Sequence, residues 1–231
     1  MKPTRIAVLG VYRSGSTAVA GALHHLGVDL GPPFFEGFYE SAWLSEQLRR
    51  WWDEPRLREK VGQAKRVRVL AQWIQEREQG GARWVGMKHP LLSLCGDDLV
   101  QAWGPETRFI RCCRPLEDSI NSLRRLGRKV DGAFLQGTLM AALDRFLAGR
   151  EHLAIQFAEL MANPRGQVQR LMEYLQITTD AERIQSAIRF IEPGRQSKVE
   201  IEQGEKIGEK KASGLGALWG TLRQAVTRRE E

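Results

Sequence analysis

The sequence predicts a three-layer α/β domain with a central, mostly parallel sheet flanked by helices. Three observations carry this. Short apolar runs of strand length recur along the chain, most are followed by helical periodicity, and the first strand-to-helix junction is rich in glycine. At 231 residues the chain suits one large domain and is too short for two comfortable ones.

Arg5 to Leu9 (RIAVL) is a short apolar run ending at Gly10, as expected of a buried parallel strand. A helix is expected over 16–26, stopped by Gly27. Residues 28–41 (VDLGPPFFEGFYES) are rich in Gly, Pro and aromatics and are read as an ordered loop that closes over something. Amphipathic helices are expected over 42–60 and 64–79. Strands follow at Trp84 to Met87 and at Arg108 to Cys113. Beyond them the pattern predicts helices near 116–127 and 132–150, a strand from Leu153 to Phe157, and helices near 164–175 and 180–191. The core therefore spans about 4–192. The charged tail, 193–231, has room for one more helix near 215–229.

Composition narrows the function classes. Hydrophobic residues make up 42% and charged residues 27%, as in an ordinary globular protein, and the net charge is +7. The basic residues are interspersed with carboxylates, as where Arg49 and Arg50 precede Asp53 and Glu54. That argues against nucleic acid, which favours a basic stripe with interleaved aromatics. Three cysteines, Cys95, Cys112 and Cys113, have no framework spacing and read as core residues of a reducing compartment. With no leader pattern and no apolar run of spanning length, a cytoplasmic protein without stable membrane insertion is expected.

The chemistry-bearing segment is Gly10 to Thr17 (GVYRSGST). Two glycines separated by four residues precede a hydroxyl pair, between a strand and a helix. Backbone N–H groups in such a loop converge on an anion, and the helix dipole adds to the attraction. Ser16 stands where a nucleoside-triphosphate enzyme carries Lys, and Arg13 supplies a positive charge earlier in the loop. The later expected strands end at Met87, Cys113 and Phe157, so none supplies a terminal Asp for magnesium. A donor with fewer phosphates, handled without metal, fits better. A tight turn with a merely decorative Arg is the plainer alternative.

Tyr12 to Thr17 (YRSGST) resembles the 5'-phosphosulfate loop of the PAPS-dependent sulfotransferases, bacterial-type enzymes of P-loop-type fold. The resemblance recurs in order along residues 5–177. Gly37 to Glu40 (GFYE), Lys88 to Pro90 (KHP), Arg114 to Leu123 (RPLEDSINSL), and Phe157 to Leu160 with Asn163-Pro164 each resemble a family element. In the third, Arg114 abuts Pro115, where the family has one residue between. Counting from Pro selects Cys113 and Asn121, counting from Arg114 selects Ser122, and Arg111 with Ser119 is a second possible pair. Arg114 and Ser122 are preferred because the chemistry needs a charge and a donor. Phe157 stands where Tyr is usual.

The resemblance implies a donor, 3'-phosphoadenosine-5'-phosphosulfate (PAPS), and transfer of its sulfuryl group to a hydroxyl or amine of a small-molecule, lipid or glycan acceptor. No metal is expected, and a homodimer is allowed. By the resemblance, Arg13 neutralises the bridging oxygen, and Ser14, Gly15, Ser16 and Thr17 hold the 5'-phosphate. Lys88 reaches the sulfuryl oxygens, Arg114 and Ser122 hold the 3'-phosphate, and Arg195 and Lys198 are candidates for covering the nucleotide. Glu40 is the first choice of general base, in aromatic surroundings that favour its neutral form; Glu36 and His89 are the alternatives. Each has a plainer reading: Lys88 as a strand-end cap, Glu40 as a helix N-terminal carboxylate, Arg114 paired with Glu117 or Asp118. His24 and His25 read as ordinary packing or surface residues. Trp43, Trp51, Trp52 and Trp103 either line an apolar acceptor pocket or form core. Two rival functions remain, a P-loop small-molecule kinase and a non-enzymatic nucleotide-binding scaffold.

Overall fold

The computed structural model describes residues 3–35, 37–53, 56–125 and 131–191. Strand β1 (Thr4–Leu9) leads through the glycine loop into α1 (Ser16–His25). Two-residue strands β2 (Phe34–Phe35) and β3 (Glu40–Ser41) form an antiparallel hairpin within the Gly/Pro-rich segment. Then come α2 (Ala42–Trp51), β4 (Trp52–Asp53), β5 (Arg58–Glu59), α3 (Gln63–Gln79) and β6 (Trp84–Lys88). A 3-10 turn at Pro90–Leu94, α4 (Gly96–Trp103), β7 (Arg108–Cys113), α5 (Leu116–Arg125) and α6 (Gly132–Leu147) follow. The described chain closes with β8 (Leu153–Gln156), α7 (Phe157–Ala162), α8 (Pro164–Leu175) and α9 (Ala181–Ile191).

The four long strands form one parallel sheet of order β6-β1-β7-β8, with Val8 beside Lys88 and Leu9 beside Arg111. From β1 the chain moves to one side, to β6, and then crosses to the other side, to β7. In open parallel sheets ligands bind at such a reversal, outside the carboxyl ends of the strands. The glycine loop and Arg114 sit at this reversal.

Alternation along the strands separates two cores. Ile6, Val8, Ile110 and Cys112 pack under α1, α8 and α9, while Ala7, Leu9, Met87 and Phe109 pack under α2, α3, α4 and α6. Against the second core, buried Arg66 ties α3 to α4 through Asp98 (Nε to Oδ2, 2.6 Å). The pair satisfies a guanidinium that would be costly if unpaired. Among the described residues no helix is long and apolar enough to cross a membrane.

Four expectations change at this level. The helix expected over 42–60 stops at Trp51; Trp52 is extended (φ −123°, ψ 137°) and pairs with Glu59 across a short ribbon. Strand β8 ends at Gln156, and Phe157 opens a helix instead of closing the strand. Strand β6 runs on to Lys88, so the lysine belongs to the strand's last position. Helix α4 arises in a stretch for which the sequence pattern yields no element, because eight residues show too little periodicity. The tryptophans settle into core: Trp51 and Trp103 are fully buried, Trp52 nearly so, and Trp103 stacks on Trp73 at 5.8 Å. Trp43 packs partly buried against the same core, and Trp52 also edges a cleft that it shares with Arg66, Asp97 and Phe146. The helix near 215–229, with Arg195, Lys198 and Glu36, lies outside the described residues.

Candidate functional site

The glycine loop is shaped by two left-handed residues, Arg13 (φ 63°) and Gly15 (φ 91°). The turn closes where Ser14 N–H donates to the Val11 carbonyl at 3.3 Å, and α1 starts where Ala18 N–H donates to the Gly15 carbonyl at 3.0 Å. Gly15 is required twice over. Its φ suits glycine, and a Cβ there would sit 2.5 Å from the ring of Phe157. Gly15→Ala is therefore expected to destabilise the fold by about 1–3 kcal/mol from backbone strain alone. A urea melt checks this, and a midpoint equal to that of the parent protein would mean that the ring moves and the loop relaxes. Ser14 Oγ is buried and has no hydrogen-bond partner among the described residues. A buried, donor-capable hydroxyl in a loop that opens a helix suits an anion.

Two groups of side chains meet this loop. On the β7 side, Arg13 Nε donates to Ser122 Oγ at 3.0 Å, and Arg114 Nη1 donates to the Arg13 carbonyl at 3.1 Å. The Arg114 guanidinium lies 4.5 Å above the Phe157 ring, which braces it from beneath. On the β6 side, Lys88 is almost fully buried and its Nζ donates three ways: to Glu40 Oε1 (2.6 Å), Thr17 Oγ1 (3.3 Å) and the Phe38 carbonyl (3.3 Å). His89 Nε2 is 3.7 Å from Glu40 Oε2, while its Nδ1 accepts the Leu91 N–H at 3.1 Å. That acceptor role at Nδ1 leaves the proton of neutral His89 on Nε2, facing Glu40.

The structure thus brings Arg13, Ser122 and Arg114 to one side of the loop, and Thr17, Lys88, Glu40 and His89 to the other. It corrects one expectation about Glu40. The carboxylate is set between an ammonium and an imidazole, and its neighbours are not an apolar wall alone. The reason is β6 ending one residue later than expected, which carries Lys88 onto the α1 side of the sheet beside the β2–β3 hairpin. Of the alternative 3'-side residues, Arg111 is directed to α6, where Nη2 meets Asp144 Oδ1 and lies 3.6 Å from Met140 Sδ. Ser119 is fully buried with no partner among the described residues, and the exposed Asn121 Oδ1 accepts from Arg124. His24 is packed against Phe34 and Tyr39, as a surface aromatic contact.

Two participants escape sequence reasoning. Gln136, in α6, donates from Nε2 to the Tyr12 carbonyl at 2.6 Å, and Ser93 Oγ donates to the Gly10 carbonyl at 3.4 Å. For Gln136 a signal exists: a lone amide on the apolar stripe of Leu135, Leu139 and Leu143. The thiols are inert by comparison. Burial pushes Cys95 up to about 12 and raises Cys112 and Cys113 as well, so none offers a thiolate near neutral pH.

The sequence matches the sulfotransferase family over residues 3–181. No curated protein matches. Among solved structures, the chain is similar to the sulfotransferase domain of a Synechococcus olefin synthase, with 18% identity, 79% of this chain and 76% of that one covered, and a TM-score of 0.53. A sulfotransferase from Mycobacterium tuberculosis is similar at 17% identity over 81% and 71% of the two chains, with a TM-score of 0.52. A sugar kinase from Janibacter is similar at 19% identity over 79% and 98%, with a TM-score of 0.50. At these identities the likeness is one of fold.

Proposed function

The chain belongs to the sulfotransferase family, and from that premise we propose that it moves a sulfuryl group from PAPS to a hydroxyl or amine of a small-molecule, lipid or glycan acceptor. Transfer is in-line and independent of metal. The observation that supports this best is the buried contact set of Lys88, which joins Thr17 of the anion loop to Glu40. A cation there stands between the donor-binding loop and the group fit to take a proton.

In this reading Ser14, Gly15, Ser16 and Thr17 bind the 5'-phosphate through backbone N–H and hydroxyl donors. Arg13 neutralises the bridging oxygen as the S–O bond breaks, and Lys88 stabilises charge on the equatorial sulfuryl oxygens. Glu40 accepts the acceptor's proton, with His89 and Glu36 as the alternative bases. Arg114 and Ser122 take the 3'-phosphate, the group that separates this donor from ATP, through charge-assisted hydrogen bonds. The Arg13–Ser122 hydrogen bond links the two ends of the nucleotide site. The reading includes one sulfotransferase domain, core 4–192 with tail 193–231, in the cytoplasm and compatible with a homodimer.

The kinase-like neighbour keeps a second reading in play, a P-loop small-molecule kinase. Against it, β6, β7 and β8 end in Lys88, Cys113 and Gln156, and Ser16 replaces the loop Lys. A scaffold without catalysis is the third. Calorimetric titration with adenosine 3',5'-bisphosphate, magnesium-ATP and AMP separates the three. Micromolar or tighter binding of the bisphosphate alone is expected. Preference for magnesium-ATP overturns the proposal in favour of a kinase, and binding of none favours the scaffold.

A further inference from the structure

We infer that Gln136 is a positioning residue for the donor loop: its side-chain amide holds the Tyr12 carbonyl and thereby sets the left-handed conformation of Arg13. The inference rests on reading residues 10–17 as the donor site. Arg13 is a non-glycine residue at φ 63°, a conformation that persists only when its surroundings over-determine it. The surroundings do so here. The carbonyls on both sides of Arg13 each accept from a distant side chain, Tyr12 from Gln136 and Arg13 from Arg114. In a planar trans peptide the C=O and N–H point opposite ways, so turning the Tyr12 carbonyl toward α6 turns the Arg13 N–H away from it.

Gln136 is poorly explained as a packing residue. It is fully buried among leucines, and its Oε1 has no hydrogen-bond partner among the described residues. Because the Tyr12 oxygen can only accept, Nε2 must face it, which assigns the orphan to Oε1. An apolar side chain of the same length would fill the stripe without burying an unpaired acceptor. What the amide alone supplies is the contact to the loop, and accepting a cost in stability for it is the pattern of a functional site.

The test uses the full chain and two variants, Gln136→Met, which keeps the shape without the donor, and Gln136→Glu. Three readouts are taken: hydrogen exchange of residues 10–17 without nucleotide, affinity for adenosine 3',5'-bisphosphate, and melting temperature. Gln136→Met is expected to melt no lower than the parent. Its loop amides exchange faster while those of β1 are unchanged, and its bisphosphate affinity falls about tenfold, the worth of one hydrogen bond. Gln136→Glu is expected to bind weakly at pH 8 and to approach the parent's affinity at pH 5, where the protonated acid regains an O–H donor, each value read against the parent at the same pH. Loop exchange and affinity equal to those of the parent, or a lowered melting temperature with affinity intact, would overturn the inference. A parent protein that binds no bisphosphate overturns the donor reading alone, and loop exchange then decides the role of Gln136.

Discussion

Lys88→Met is expected to slow sulfuryl transfer about 100- to 1000-fold, the usual effect of removing one positioned donor from a transition state. Met preserves the length and apolar stem of a side chain that is 3% exposed. The ammonium is lost, and with it the charge proposed to meet the sulfuryl oxygens, which gather negative charge only as the bond breaks. Turnover therefore falls, while affinity for adenosine 3',5'-bisphosphate, which has no sulfuryl group, stays nearly unchanged. The assay is breakdown of PAPS with 4-nitrophenol as probe acceptor. The variant also removes the Nζ that lies 2.6 Å from Glu40 Oε1 and leaves His89 beside the partly buried carboxylate, so a stability loss of about 1–3 kcal/mol accompanies it. Lys88→Met combined with Glu40→Gln reads the stability effect alone: stability returns, while the effect on turnover is read from Lys88→Met only, since the double variant also lacks the proposed base. Equal loss of bisphosphate affinity and turnover would reassign Lys88 to the nucleotide, and unchanged turnover would reduce it to a strand-end cap.

Arg114→Ala is expected to weaken bisphosphate binding about 10- to 100-fold, because a hydrogen bond to a charged group contributes about 1.5–3 kcal/mol. The same side chain holds the Arg13 carbonyl at 3.1 Å, so some loss at the 5' end accompanies it. Comparison with AMP divides the two. Loss confined to the bisphosphate assigns Arg114 to the 3'-phosphate, whereas equal losses for both nucleotides assign it to the loop alone. Arg114→Lys keeps the charge but not the two-pronged guanidinium, and recovers only part of the affinity.

Much of the site could be read from local pattern. The glycine loop needs its glycines because of backbone geometry confined to six residues, and Gly15 at φ 91° bears this out. The strand at Arg108 to Cys113 was legible in full because its apolar run is bounded by polar residues and Pro115. The ends of α2, β6 and β8 were not legible. Trp51 and Trp52 have nearly the same intrinsic preference, and what divides helix from strand there is the pairing of Trp52 with Glu59. Helix α4 was missed for its length.

By itself the sequence determined the four long strands and most of the long helices, where the glycine loop falls, and that Arg13, Lys88 and Arg114 stand in that loop or at the strand ends beside it. These depend on chemistry within a few residues of chain. Only the tertiary structure decided what each cation meets: Lys88 with Glu40 and Thr17, Arg13 with Ser122, Arg111 with Asp144 and so turned toward α6. It also decided that the tryptophans form core and that Gln136 reaches the loop from 124 residues away. The physical reason is that periodicity reports which side of an element faces the interior. Which element lies opposite depends on sheet order and strand register, set by contacts distant in the chain.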